Sequence, residues 1–250
     1  MGTPVSVVMA VYNGRKYLIE QLESVLAQLD DSDELVIVDD ASKDGSAALI
    51  EGLRSPRIRL FSNERNLGIM GTFERGLRLA RHDIVFLCDQ DDIWLPGKKA
   101  AFITAFNSDP RVNVVISDAE LIDGSGTLLS SSYMISRRGG FDGSVLGTLW
   151  RNRYLGCAMA VRGSLLRIAL PIPRRAPQHD MWLGALGKMS GRVVYLPKPY
   201  QRYRRHGGNA SPMGSNSWRQ MFFWRWSLLQ FLLRRKLAVL FGLHRNSTSN

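Results

Sequence analysis

The 250-residue chain has only two cysteines, Cys88 and Cys157, and each sits inside an apolar run. Their scarcity excludes a disulfide-stapled scaffold, and with only four dispersed histidines it also excludes a thiolate zinc site. Two buried, reduced thiols are expected instead. A basic leader followed by a long apolar stretch is missing, because a strand pattern starts within four residues of Met1. A cytoplasmic chain is therefore expected. No charge-free run approaches the roughly 20 residues that a bilayer span needs, so a single transmembrane helix is not expected. Acidic residues are absent from one whole region, for the last of them is Asp180. Of the 33 lysines and arginines, 12 follow Asp180, leaving 21 against 22 acidic side chains up to and including it. The net charge of +11 thus belongs entirely to the C-terminal part. Such a block suits a phosphate-rich partner: nucleic acid, an anionic membrane surface or a diphosphate substrate.

What is present suits one α/β domain, or a domain with a tail. Hydrophobic residues make up 45% and aromatic residues 9%, enough for a sizeable core. Strand patterns occur at Val5–Val11, Glu34–Val38, Ile58–Phe61, Ile84–Cys88 and Val112–Ser117. Leu18, Leu22, Val25 and Leu26 recur at helical spacing, and Ser42 can cap a helix whose apolar positions include Ala47, Ile50 and Leu53. Thr72–Ala80 reads as another short helix. Alternation of this kind predicts a mostly parallel sheet with helices on both faces and a Rossmann-like nucleotide-binding half. Gly124–Asn152 is expected to be loop-rich, Gly156–Val161 a buried strand and Val193–Leu196 a later one. From Ser217 to Leu243 the chain is aromatic, aliphatic and basic together. This stretch either packs on the domain or lies in a membrane interface with Trp218, Trp224 and Trp226 at headgroup depth.

Chemistry concentrates in Cys88-Asp89-Gln90-Asp91-Asp92-Ile93-Trp94. Three carboxylates stand where an apolar strand ends, and ligands of open α/β sheets bind at the carboxyl ends of strands. Carboxylates this close raise one another's pKa unless a cation neutralises them, and hard oxygen ligands suit Mg²⁺ or Mn²⁺. A solvated acidic turn is the plainer reading. A second pair, Asp39-Asp40, ends the strand Leu35–Val38. It reads either as an acceptor of hydrogen bonds from a base or ribose, or as incidental acidity beside a helix cap.

These segments, taken in order, resemble family 2 glycosyltransferases of the GT-A fold, from Val5 to Asn209. The resemblance lies in Val5-Ser6-Val7-Val8-Met9-Ala10-Val11-Tyr12-Asn13, Val36-Ile37-Val38-Asp39-Asp40-Ala41-Ser42, Asn63-Glu64-Arg65-Asn66-Leu67-Gly68, Asp89-Gln90-Asp91-Asp92 and His179-Asp180-Met181-Trp182. It implies a GT-A domain over residues 1–210, its nucleotide-binding half ending at about residue 120 and its acceptor half following. A basic amphipathic helical tail over 211–250 completes the chain. By the same resemblance, Ala10 and Tyr12 would face the nucleotide, Asp40 the pyrimidine N–H, and Asp39 and Asp89 the ribose. Asp91 would hold the divalent metal, and Asp180 would be the general base of an inverting transfer. His179 stands where relatives carry an acidic residue, so it competes for that role. Tyr203-Arg204-Arg205-His206-Gly207-Gly208-Asn209 falls where relatives close over the diphosphate, which implies His206 as a metal ligand or phosphate contact. Further acceptor or phosphate contacts are expected among Trp94, His179, Trp182, Arg204 and Arg205.

The motif set looks most like the rhamnosyltransferase branch of bacterial O-antigen and polysaccharide synthesis. It implies dTDP-L-rhamnose as donor, with UDP-hexoses open, and a saccharide or lipid-linked acceptor at the inner face of the membrane. The Q-x-x-R-W motif of processive synthases is absent. A nucleotidyltransferase would carry a Gly-rich basic loop after the first strand, where this chain has Tyr12-Asn13-Gly14-Arg15. A binder of anionic polymers is the non-enzymatic alternative. Nucleic acid is not the expected partner, because the positive charge lies outside the acidic half and no nucleic-acid motif is present.

Overall fold

Seven consecutive buried residues make β1 (Val5–Val11), and six more make β2 (Glu34–Asp39). Strands buried on both faces carry unbroken apolar runs, so these two sit mid-sheet under helices. The computed structural model describes residues 2–207 and 218–240. Parallel pairing joins β1 to β2, β2 to β3 (Ile58–Ser62), and β1 to β4 (Ile84–Asp89). The order β3-β2-β1-β4 makes the chain wind outward in both directions from β1. Beside β1 lies the switch point at which open α/β sheets hold ligands.

Beyond β4 the sheet departs from the sequence expectation. The next neighbour is β8 (Met159–Arg162), antiparallel to both β4 and β6 (Val112–Asp123). The fifth expected strand therefore does not continue the parallel run. Gly156–Ala158, expected as the start of a strand, forms a 3-10 turn leading into β8. The expected Val193–Leu196 strand is one part of β9 (Arg192–Arg205), which runs parallel to β6 and antiparallel to the two-residue β5 (Ile93–Trp94). The segment Gly124–Asn152 is more than loop. It holds β7 (Leu128–Ser130), paired with β6, and two short helices, α5 (Tyr133–Arg138) and α6 (Val145–Trp150).

Alternate strand residues feed two cores. Val7, Met9, Leu35 and Ile37 pack with α1 (Arg15–Leu26) and α4 (Lys98–Asn107) on one face. Val8, Ala10 and Val36 pack with α3 (Gly68–Leu79), α7 (Gly163–Ala169) and α8 (His179–Ser190) on the other. Helix α2 (Ser46–Gly52) is capped by Gly45 in the left-handed region, not by Ser42. The final helix, α9 (Trp218–Leu240), packs on α6, α7 and α8. The expected roles of Gly208 and Asn209, and of the Trp218 and Trp224 side chains, fall outside the described residues.

Candidate active site

Strand register sets the frame: Val11 lies beside Asp39, and Ala10 beside Asp89. The chain leaves β1 and β2 through Asn13 (φ 49°) and Ala41 (φ 62°), both left-handed. That conformation costs an L-residue roughly 1–2 kcal/mol, and crossed hydrogen bonds between the two turns offset it. Asn13 N donates to Ser42 Oγ (2.9 Å), Lys43 N to Asn13 Oδ1 (2.8 Å) and Gly14 N to Ser46 Oγ (3.0 Å). The turn after β4 is tied in by Gln90, whose side-chain amide accepts from Tyr12 N (2.8 Å) and donates to Tyr12 O (3.1 Å).

These turns wall a cavity of about 370 Å³, large enough for a nucleotide-sized ligand. Ala10, Tyr12, Asp40, Asp89, Asp91, His179 and Asp180, seven of the residues singled out in the sequence, line it. Asp40 is buried, and its carboxylate accepts from Asn63 Nδ2 (2.6 Å), Leu67 N (2.8 Å) and Gly68 N (2.9 Å). A carboxylate offers about four acceptor positions, so one remains on Oδ2. Asp39 does not line the cavity. Its Oδ2 accepts from Ser42 N (3.1 Å), and its buried Oδ1 has no partner among the described residues. Through Oδ2, Asp39 shapes its turn.

Acidic groups converge at the end of β4. Asp91 Oδ2 lies 2.8 Å from His206 Nε2, and the His206 ring packs on Tyr17 at 4.7 Å. Asp92 is buried and spent on β9, accepting from Arg204 N (2.9 Å) and Gln201 Nε2 (3.2 Å). Beneath it the fully buried Lys98 donates to Cys157 O (2.9 Å) and Gln201 Oε1 (2.5 Å). Burial first, and then the charge of Asp91, push the Asp89 carboxyl up to about 7. The same causes hold Asp92 well above the usual carboxylate range. Burial lowers the Lys98 ammonium to about 8. Ionised carboxylates are thus short of positive charge here, the condition that a divalent cation relieves. Donor atoms of Asp89, Asp92 and Cys157 lie within 4.8 Å of one another. Yet Asp92 is already hydrogen-bonded, and burial raises the Cys157 thiol well above its ordinary value. Beside this cluster, Asp91 Oδ2 and His206 Nε2, 2.8 Å apart, form a second pair of oxygen and imidazole donors, with Asp91 on the cavity wall.

Across the cavity, α8 opens with His179-Asp180. Asp180 sits in the first turn, where the helix dipole favours an anion. Its Oδ1 accepts from Asn152 Nδ2 (3.2 Å) and from Met181 N (2.6 Å). Its Oδ2 has no partner among the described residues. His179 stacks on Phe73 (ring centroids 4.3 Å apart), and burial lowers its pKa. Its Nε2 is buried with no partner among the described residues. A β-carbon at Gly156 would stand 2.8 Å from that nitrogen, so glycine there leaves room for the ring.

Two of the expected acceptor contacts, Trp94 and Trp182, are elsewhere. Trp182 is fully buried with its indole N–H on Ala169 O (3.0 Å), and Trp94 packs on Phe86 in the opposite core. Both Trp side chains contribute to the core and neither lines the cavity. Arg204 is also buried, bound to Asp91 O (2.9 Å) and Glu20 Oε2 (2.5 Å), and it holds the β4 turn against α1. Arg205 donates to Tyr203 OH (3.1 Å). Neither arginine lines the cavity. Residue-by-residue reading missed Gln90, Asn63, Lys98 and Gln201, polar groups whose partners lie from 23 to 109 positions away.

A mostly parallel α/β sheet with acidic strand ends around one switch-point cavity has the GT-A architecture. The family model described as glycosyl transferase family 2 matches residues 6–166, and the chain belongs to that family. The succinoglycan biosynthesis protein ExoO of Rhizobium meliloti (strain 1021) is 31% identical over 134 residues, covering 53% of this chain and 38% of ExoO. The chain spans less than two thirds of the curated relatives it matches. Among solved structures, S. aureus TarS 1–349 in complex with UDP-GlcNAc has a TM-score of 0.65 at 19% identity, covering 93% of this chain and 66% of that one. The mannosyltransferase PcManGT from Pyrobaculum calidifontis, in complex with GDP-Man and Mn²⁺, has a TM-score of 0.61 at 16% identity, covering 94% and 75%. Likeness at these identities shows the shared fold.

Proposed function

We propose that this chain is an inverting, metal-dependent, non-processive glycosyltransferase. It moves a sugar from a nucleotide diphosphate donor to a saccharide or lipid-linked acceptor in surface polysaccharide synthesis, at the inner face of the membrane. One observation carries the reading. Asp40, Asp89 and Asp91 border one cavity at strand ends, and Asp180 faces that cavity from the start of α8. The nucleobase lies against Tyr12, with a pyrimidine N–H on the remaining acceptor position of Asp40. Asp91 and His206, with Asp89 nearby, would hold a divalent ion, which would supply positive charge to the diphosphate leaving group.

Asp180 Oδ2 takes the proton of the acceptor hydroxyl as its oxygen attacks the anomeric carbon. The bond from that carbon to the diphosphate oxygen breaks on the opposite face, which inverts the configuration. Asp180 suits the base role better than His179, because burial disfavours the imidazolium that a histidine base would become. Neutral His179 instead offers its buried Nε2 to a sugar hydroxyl. dTDP-L-rhamnose is the first donor to test, on the likeness of Asp-Gln-Asp-Asp-Ile-Trp, His-Asp-Met-Trp and Tyr-Arg-Arg-His-Gly to rhamnosyltransferases; UDP- and GDP-sugars follow.

Two variants test the division of roles. Asp180→Asn should keep metal-dependent nucleotide binding and lose roughly 10²–10⁴-fold in transfer. Asp91→Ala should lose both. Equal loss of nucleotide binding in the two variants would undo the assignment.

A further inference from the structure

Helix α9 carries two apolar stripes on opposite sides. At 100° per residue, Leu228, Phe231, Leu232 and Arg235 share one side. There Leu228 and Leu232 are fully buried, and Arg235 donates to Pro171 O (3.0 Å) with its guanidinium 5.8 Å from the Trp182 ring. This stripe fastens the helix to the domain. Phe223, Trp226, Gln230, Leu233 and Leu237 follow at spacings of three and four residues and occupy roughly 80° of the other side. The four large apolar members are 49%, 53%, 50% and 52% exposed. Arg234 and Lys236, both exposed, fall on the two flanks of this outer stripe.

We infer that the outer stripe of α9 is a docking surface for an anionic phospholipid bilayer. The helix lies in the plane of the interface, and the domain sits above it. Charge decides the occupant. Helix α9 holds Arg219, Arg225, Arg234, Arg235 and Lys236 with no carboxylate, and no acidic residue follows Asp180 anywhere in the chain. A second copy laid on this stripe would bring Arg234 and Lys236 against their own equivalents with no carboxylate on either helix to neutralise them. A membrane rich in acidic headgroups supplies the missing negative charge. Its acyl boundary takes Phe223, Trp226, Leu233 and Leu237, while the two flanking cations reach out to phosphates. Gln230 within the stripe fits a shallow interfacial depth. No helix among the described residues is long and apolar enough to cross a membrane.

Because α9 packs on α8, docking fixes the helix that carries Asp180 in its first turn relative to the bilayer. The surface stands on α9 itself; its use in presenting a lipid-linked acceptor rests on the transferase reading above. Flotation of the full chain with vesicles needs no turnover, so it separates the two. Vesicles of phosphatidylcholine containing phosphatidylglycerol should carry the protein upward. Vesicles of phosphatidylcholine alone should bind it weakly, and high salt should release it. Trp226→Ser with Leu233→Ser should weaken binding more than roughly tenfold. Arg234→Gln with Lys236→Gln should weaken it roughly thirtyfold. Both pairs are exposed, and both variants should keep the wild-type Tm. Absence of flotation, or flotation indifferent to both variants, overturns the proposal. So does a dimer in light scattering that Trp226→Ser with Leu233→Ser dissociates, because the stripe then belongs to a second copy.

Discussion

At the scale of residues, the site is built by carboxylates that are mostly occupied already. Asp40 binds Asn63, Leu67 and Gly68, and it thereby ties the loop before α3 to the end of β2. Asp40→Asn replaces one acceptor oxygen by a donor facing other donors. The variant should lose about 1–3 kcal/mol of stability in urea unfolding as well as nucleotide affinity. Unchanged stability would show that the loop does not depend on this carboxylate. The placement of Asp40 at a strand end was legible in the sequence, but its partners were not, because they depend on which loop the parallel crossover brings back. The tryptophans fail in the opposite direction. A Trp next to an acidic motif reads as core by default and as a sugar platform only in the alternative, and the indole N–H of Trp182 on Ala169 O shows its place only in three dimensions.

At the scale of elements, β9 brings His206 to Asp91, and the sequence shows only its first third. Pro197 and Pro199 interrupt the apolar pattern and read as the end of a strand. The structure absorbs them at an irregularity, where Ser117 pairs with Leu196 but Asp118 with Pro199, and the ladder then continues to Asp123 opposite Arg205. In contrast, β1, β2 and β4 match their expected spans to within a residue, since unbroken apolar runs bounded by turn residues leave little choice. Helix α3 sits on β1 through Gly76, where an added β-carbon would collide with Val8 Cγ1. Alanine improves helix propensity by about 1 kcal/mol, yet overpacking a core costs about 1–3 kcal/mol. Gly76→Ala should therefore destabilise the chain in urea unfolding, whereas Gly52→Ala, with open space around it, should be neutral or stabilising. If both variants gain stability, α3 is not seated as described.

At the scale of the whole molecule, charge is divided along the chain. The first 180 residues are nearly neutral and supply the carboxylates of the cavity, whereas ten of the twelve cations that follow lie on β9 and α9, whose outer stripe faces away from the core. Burial of Leu228 and Leu232 contributes about 1.5–3 kcal/mol each, enough to keep α9 on the domain. The sequence could not show that one helix both packs and presents an apolar face, because its nearly all-round apolar pattern hides two stripes. The acidic cluster also links stability to pH. With Asp89 pushed up to about 7 against an ordinary value near 4, the folded chain binds the extra proton, and metal-free stability should fall as pH rises through that window. The most direct measurement is a thermal-shift series with dTDP, UDP and GDP and their sugars, each with and without Mn²⁺ or Mg²⁺, at pH 5.5 and pH 8. Nucleotide and metal together should raise Tm more than either alone, with the larger gain at pH 8 and none in Asp91→Ala. No nucleotide shifting Tm with either metal, at either pH, would contradict the account of this cavity as a nucleotide-sugar site.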